Sequence, residues 1–176
     1  VHILARNMSI VSRFEMRDSS GGNVTASEEF IYMVVPDENK HEVCCFTHAG
    51  TKVAHYKHPD KCISWLSCPV LAPGGLLFCV LLDNTDTYGQ DEIIALDAQT
   101  LQPRHRFGKS LLQEVDGDMV VAGEELFVCD SWNDRLQVFS FAGEHRRSIT
   151  GEWKRPVALC FVKDRLYLVE GADNSK

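Results

Sequence analysis

Short apolar runs return along the chain at a regular spacing. Met33-Val34-Val35, Leu77-Phe78-Cys79-Val80, Leu126-Phe127-Val128 and Leu166-Tyr167-Leu168-Val169 are brief and rich in β-branched and aromatic residues, a pattern that predicts strands. Turn formers follow the first three runs, and then a second run begins around Val43, at Ile93-Ile94-Ala95-Leu96 and at Leu136-Gln137-Val138-Phe139. Laying Gly50 over Gly143, at an offset of 93 (143 − 50), places Asp37 over Asp130, Val43 over Leu136 and Phe46 over Phe139. A middle copy is offset by 49 (126 − 77) before its turn and by 43 (136 − 93) after it, so it carries extra residues within 83–91. A fourth copy begins at Pro156.

The third copy is the most legible. Side chains alternate along a strand, so Leu136, Val138 and Ser140 point one way and Gln137, Phe139 and Phe141 the other. Asp130-Ser131-Trp132-Asn133-Asp134 is a hairpin loop, because Asp and Asn side chains bond nearby backbone amides and tolerate left-handed geometry. Ala142-Gly143-Glu144 forms the next turn, and Arg146-Arg147-Ser148-Ile149 an outer strand whose charges discourage edge pairing.

A period of 40 to 50 residues, built of short strands with no long helical stretch, predicts an all-β fold of β-propeller blades, each of four antiparallel strands. One blade cannot bury both of its faces, so neighbouring blades stack and both faces become core. Gly75-Leu76-Leu77-Phe78-Cys79-Val80-Leu81-Leu82 fits that expectation, since a strand covered on both sides has no polar side. It is far too short to span a membrane. The expected divisions are 1–20 as the end of an earlier blade, then 21–66, 67–112, 113–155 and a partial 156–176. At about 46 residues per blade, 176 residues make fewer than four, so an incomplete propeller or part of a longer one is expected.

Leu126 to Phe139, with Gly143 four residues on, resembles an NHL repeat, the propeller repeat of TRIM-type ubiquitin ligases and many other proteins. Asp130, Asn133, Arg135, Leu136, Gln137, Val138, Phe139 and Gly143 carry the likeness. Asp134 stands where the repeat has its histidine, and Pro156-Val157-Ala158-Leu159 resembles the opening of a next repeat. The first two copies lack the Asn-x-Arg core, reading Lys40-His41-Glu42 and Gln90-Asp91-Glu92. The resemblance implies a scaffold role for Asp130, Asn133, Arg135, Gln137, Phe139 and Gly143. It also implies an interaction module which, in a ubiquitin-ligase setting, recruits substrate while the catalytic machinery lies elsewhere.

Composition narrows the alternatives. Hydrophobic residues make up 44% of the chain and charged ones 24%, enough for a sizeable core. Cys44, Cys45, Cys79, Cys129 and Cys160 fall on predicted strands as small apolar fillers, a usage that suits a reducing compartment and so points to the cytoplasm. No targeting segment is visible. With a net charge of −7, RNA is not the expected partner, although Arg104, Arg106, Lys109, Arg146, Arg147, Lys154 and Arg155 form local basic groups. His55, His58, Cys62 and Cys68 could supply zinc ligands, but their spacing matches no usual pattern; a loop with two exposed histidines is the alternative, and no metal or cofactor is expected. Asp37, Asp130 and Glu170, with Asp83 nearby, recur at strand ends and could line a channel site of a metal-dependent hydrolase or lyase. Hairpin capping explains them without chemistry. The expected function is a non-enzymatic scaffold for a protein partner, anchored by Trp132, Trp153 and Arg155 on rim loops.

Overall fold

The structure, a computed structural model, describes residues 2–4, 10–13, 23–37, 40–59, 63–83, 90–113, 115 and 118–171. Residues 84–89 of the insertion expected within 83–91, and Cys62, lie outside the described residues. Strands β1 (His2–Leu4) and β2 (Ile10–Arg13) pair with each other. The next four, β3 (Val24–Ala26), β4 (Phe30–Asp37), β5 (Lys40–Thr47) and β6 (Lys52–Lys57), form one antiparallel sheet in chain order. A second comprises β7 (Ile63–Ala72), β8 (Leu76–Asp83), β9 (Gln90–Asp97) and β10 (Pro103–Gln113). The third comprises β11 (Met119–Ala122), β12 (Glu125–Asp130), β13 (Arg135–Ser140) and β14 (His145–Thr150), and β15 (Pro156–Val162) pairs with β16 (Arg165–Glu170).

These sheets are β-propeller blades. Their first strands neighbour one another, β3 beside β7, β7 beside β11 and β11 beside β15, while the fourth strand of the third blade is exposed along nearly its whole length. Between the blades lie apolar layers made by alternation along each strand. Leu77, Cys79 and Leu81 of β8 meet Tyr32, Val34, Val43 and Cys45 of the first blade. Phe78 and Val80, on the opposite face of β8, meet Leu126, Val128 and Phe139 of the third. Phe127, Cys129, Leu136 and Val138 then meet Leu159, with Leu166 and Leu168 alongside. The uninterrupted apolar run of β8 follows from having a neighbour on each side. An aromatic cluster, with Phe107 5.2 Å from Phe139 and 6.0 Å from Phe78 between ring centres, closes the outer part of the second interface.

The repeated glycine marks a repeated turn. Gly50 (φ 86°) donates to Thr47 and Gly143 (φ 88°) to Ser140, each over 2.9 Å. Left-handed geometry there is nearly free for glycine and costly for other residues. Counted from this turn, β4 and β5 have eight residues each, whereas β12 and β13 have six. Asp37 therefore stands two residues further along its hairpin than Asp130, and Asp83, ending the eight-residue β8, does likewise. The expected acidic row is thus stepped: each member ends the second strand of its blade, but Asp130 lies level with Val35 and Leu81. A second correction concerns the expected loop of exposed histidines. His55 and Tyr56 belong to β6 rather than to a loop; His55 is exposed as expected, whereas His58 is only 4% exposed.

Gly143→Ala introduces a Cβ about 2.7 Å from the Phe107 ring atoms besides the left-handed strain. At Gly123 (φ 61°) the same substitution meets nothing within 4 Å. Urea unfolding should show Gly143→Ala losing about 1–2 kcal/mol or more and losing more than Gly123→Ala. Equal losses would contradict the packing of Phe107 against this turn.

Candidate functional site

Strand direction alternates within each blade, so the turn between the second and third strands and the link from the fourth strand to the next blade emerge on one side. In the third blade these are the β12–β13 turn and the segment 151–155. Residues Ser131–Asn133 form a single 3-10 turn, and Asp134 (φ 51°) reverses the chain into β13.

Beneath this turn Asp130 is fully buried. Its Oδ1 accepts from the Gln113 backbone N–H (3.1 Å) and Asn133 Nδ2 (2.9 Å), and its Oδ2 from Arg135 Nε (2.7 Å) and Gln137 Nε2 (3.2 Å). Four donors satisfy a carboxylate that burial would otherwise heavily penalise. Arg135 Nη2 reaches on to the Leu111 carbonyl (3.1 Å), and Gln137 Oε1 accepts from Ser148 Oγ (2.7 Å) and pairs with His145 Nε2 (2.8 Å). The cluster therefore ties β10 of the second blade to β12, β13 and β14 of the third. Of the sequence-expected motif residues, Asp130, Asn133, Arg135 and Gln137 converge here. Phe139 lies in the apolar layer and Gly143 in the turn at the other end of the sheet.

Asp134 makes a second tie. Its Oδ1 accepts from the Arg155 backbone N–H (2.7 Å) and its Oδ2 from Lys154 Nζ (2.9 Å), contacts that hold its carboxyl below the ordinary range. Ser131 Oγ donates to the Pro156 carbonyl (2.7 Å). Asp91 in the second blade does the same work, accepting from the Val115 N–H (2.6 Å) at the next blade link. Glu170 accepts from the Lys154 N–H (2.7 Å), and burial pushes up the carboxyl of Asp118, just ahead of β11.

Trp132, Trp153 and Arg155 sit on these two adjoining segments. Trp132 is 54% exposed rather than packed against the next blade. Trp153 is half-buried with its ring over Gly151, and its indole N–H is buried without a partner. Arg155 (φ 43°) is held through its backbone. A groove of about 320 Å³ opens alongside, lined by Gln90, Ser110, Leu111, Leu112, Gln113, Asn133 and Arg135.

The basic groups are largely neutralised: Arg104 by Asp97 (2.6 Å), Arg106 by Glu92 (3.2 Å), Arg146 by Glu144 (2.9 Å), Arg147 by Glu125 and Lys154 by Asp134. Among the described residues no three His, Cys, Asp or Glu side chains gather as metal ligands. Cys68 instead accepts from Asn23 Nδ2 (3.5 Å), and burial pushes the thiols of Cys44 and Cys129 up to about 12, away from reactive thiolate. No helix among the described residues is long and apolar enough to cross a membrane.

No protein-family model matches this sequence, and no curated protein does. Among solved structures, a protein of unknown function from Bacteroides caccae is similar at 11% identity with a TM-score of 0.62, over 93% of this chain and 58% of that one. BamB from Moraxella catarrhalis is similar at 12% identity with a TM-score of 0.46, over the same shares. The chain thus spans less than two thirds of either. The first likeness supports the class already defined by the sheets, a β-propeller fold.

Asp130→Ala leaves Arg135, Gln137 and the Gln113 amide without their shared acceptor. It should cost about 3–5 kcal/mol in chemical denaturation, with Asp130→Asn costing less because one acceptor oxygen is kept. A loss near zero for Asp130→Ala would show that the cluster does not hold the blades.

Proposed function

We propose that these are NHL-like propeller blades serving as a non-enzymatic protein-interaction scaffold, and that the β12–β13 turn with segment 151–155 is the contact face. The observation that carries this reading is the large exposed surface of Trp132 on a turn fixed by Asp130, Asp134 and Ser131. A pre-ordered aromatic loses little freedom on binding, and tryptophan and arginine dominate protein–protein hot spots. Trp132, Trp153 and Arg155 are the proposed anchors, while Asp130, Asn133, Arg135, Gln137, Phe139 and Gly143 hold the blade that presents them. The convergence of the Asn-x-Arg core on Asp130 supports the NHL likeness.

The hydrolase or lyase reading is disfavoured because both acidic-row members with described side chains, Asp130 and Glu170, already accept protein N–H groups. RNA binding is disfavoured by the net charge of −7 and by the paired arginines. The second face of the β15–β16 sheet leaves Val162, Tyr167 and Val169 46–56% exposed, where the matching layers between earlier blades are closed. That supports placing these blades within a longer propeller, one setting for which is the substrate-recruiting part of a ubiquitin ligase, in the cytoplasm.

Wild-type and Trp132→Ala proteins immobilised for partner capture, with bound proteins quantified by mass spectrometry, test the contact face. The expected result is a defined set that falls about tenfold or more with Trp132→Ala while the melting temperature holds. An unchanged set would overturn the proposal.

A further inference from the structure

We infer that the groove between the second and third blades takes an extended peptide segment presenting an apolar side chain beside a carboxylate. This deepens the reading of the contact face and rests on it.

The groove exists because the outer strand of the second blade leaves its ladder. Between β9 and β10 the pairing jumps from Ile93↔Phe107 to Asp91↔Leu112, so residues 108–111 stand opposite Glu92 alone. Gly108 (φ 87°) begins the excursion, which carries Ser110 and Leu111 outward and leaves Leu111 38% exposed. Bulges commonly re-aim side chains next to functional sites. This one is clamped from the third blade: the Leu111 carbonyl accepts from Arg135 Nη2 (3.1 Å) and Gln137 Nε2 (3.4 Å), and the Gln113 N–H donates to Asp130. The excursion is therefore part of a fixed shape.

The lining selects the ligand. Apolar contact comes from Leu111 inside the groove and from exposed Trp132 on the turn that carries Asn133. Gln90, Gln113 and Asn133 offer amides matched to the N–H and C=O groups of a peptide backbone. Among the described residues Arg135 is the one charged residue of the lining and no carboxylate lines the groove, although the chain as a whole carries −7. Arg135 is ion-paired with the buried Asp130 through Nε and bonded to Leu111 through Nη2, but its Nη1 has no partner among the described residues and can donate to a ligand carboxylate, while Lys109 adds positive charge elsewhere in the bulge. An acidic side chain would complement this local charge, and a basic one would oppose it. A volume of about 320 Å³ suits a few peptide side chains, at the small end of binding-site sizes.

The test is an amide-resolved NMR titration of the 176-residue protein with two capped tetrapeptides, Ac-Ala-Leu-Glu-Ala-NH2 and Ac-Ala-Leu-Lys-Ala-NH2. The glutamate peptide should shift the amides of Ser110, Leu111, Gln113 and Asn133. It should bind about fivefold more tightly than the lysine peptide, a ratio worth about 1 kcal/mol, and weaken in Leu111→Ser. Equal response to both peptides, silence at these amides, or shifts centred instead on the opposite-face pocket around Gly74 and Phe141 would overturn the inference. If Trp132→Ala abolishes partner capture while the groove ignores both peptides, the groove assignment falls and the contact face stands. If capture is unchanged while the glutamate peptide still binds, the contact face falls instead.

Discussion

The described fold depends on the burial of sheet faces against neighbouring sheets. A fully buried leucine or phenylalanine contributes about 1.5–3 kcal/mol over an exposed one, and the second blade places such residues on both sides of β8 and β9. Among the described residues three of the four apolar clusters lie between blades, and the fourth, Ile31, Met33, Cys44 and Phe46, lies on the other face of the first blade. The stability of one blade is therefore inseparable from that of its neighbours, as in other tandem-repeat folds.

Apolar stacking leaves rotation and sliding between blades weakly specified, because it is not directional. The polar ties supply direction. Asp130 reaches back to the second blade through Gln113, and Asp134 reaches forward to the link at Lys154 and Arg155. Since both ties meet at the β12–β13 turn, exposed Trp132 stands on a loop held from both sides. The proposed contact surface and the structural lock share the same five-residue segment, so the residues that hold the blade also position its proposed anchor.

Much of this was legible in the chain. Alternation along 136–141 assigned each side chain to its face, because successive side chains of a strand point to opposite sides. The repeated Gly50 and Gly143 marked equivalent turns because left-handed geometry restricts the residue choice. The level of Asp37 relative to Asp130 was not legible: a hairpin two residues longer keeps the same inward–outward parity, so hydrophobic pattern alone cannot detect it. The roles of Asp91 and Asp134 were overlooked although a signal was present. They are separated by 43 residues (134 − 91), the offset that relates Ile93 to Leu136, and each accepts a backbone N–H from the following blade link. The groove was invisible because the bulge at 108–111 breaks the register without breaking the pattern of side chains around it.

The cysteines offer the most direct measurement, because they sit on opposite sides of the central claim. Cys79 and Cys129 are fully buried in layers between blades, while Cys160 is exposed on the open face of the last sheet. Maleimide labelling of the native protein, resolved by peptide mass, should modify Cys160 rapidly and leave Cys79 and Cys129 protected until the protein unfolds. Labelling of Cys79 and Cys129 at the rate of Cys160 under native conditions would mean that the blades do not close on one another.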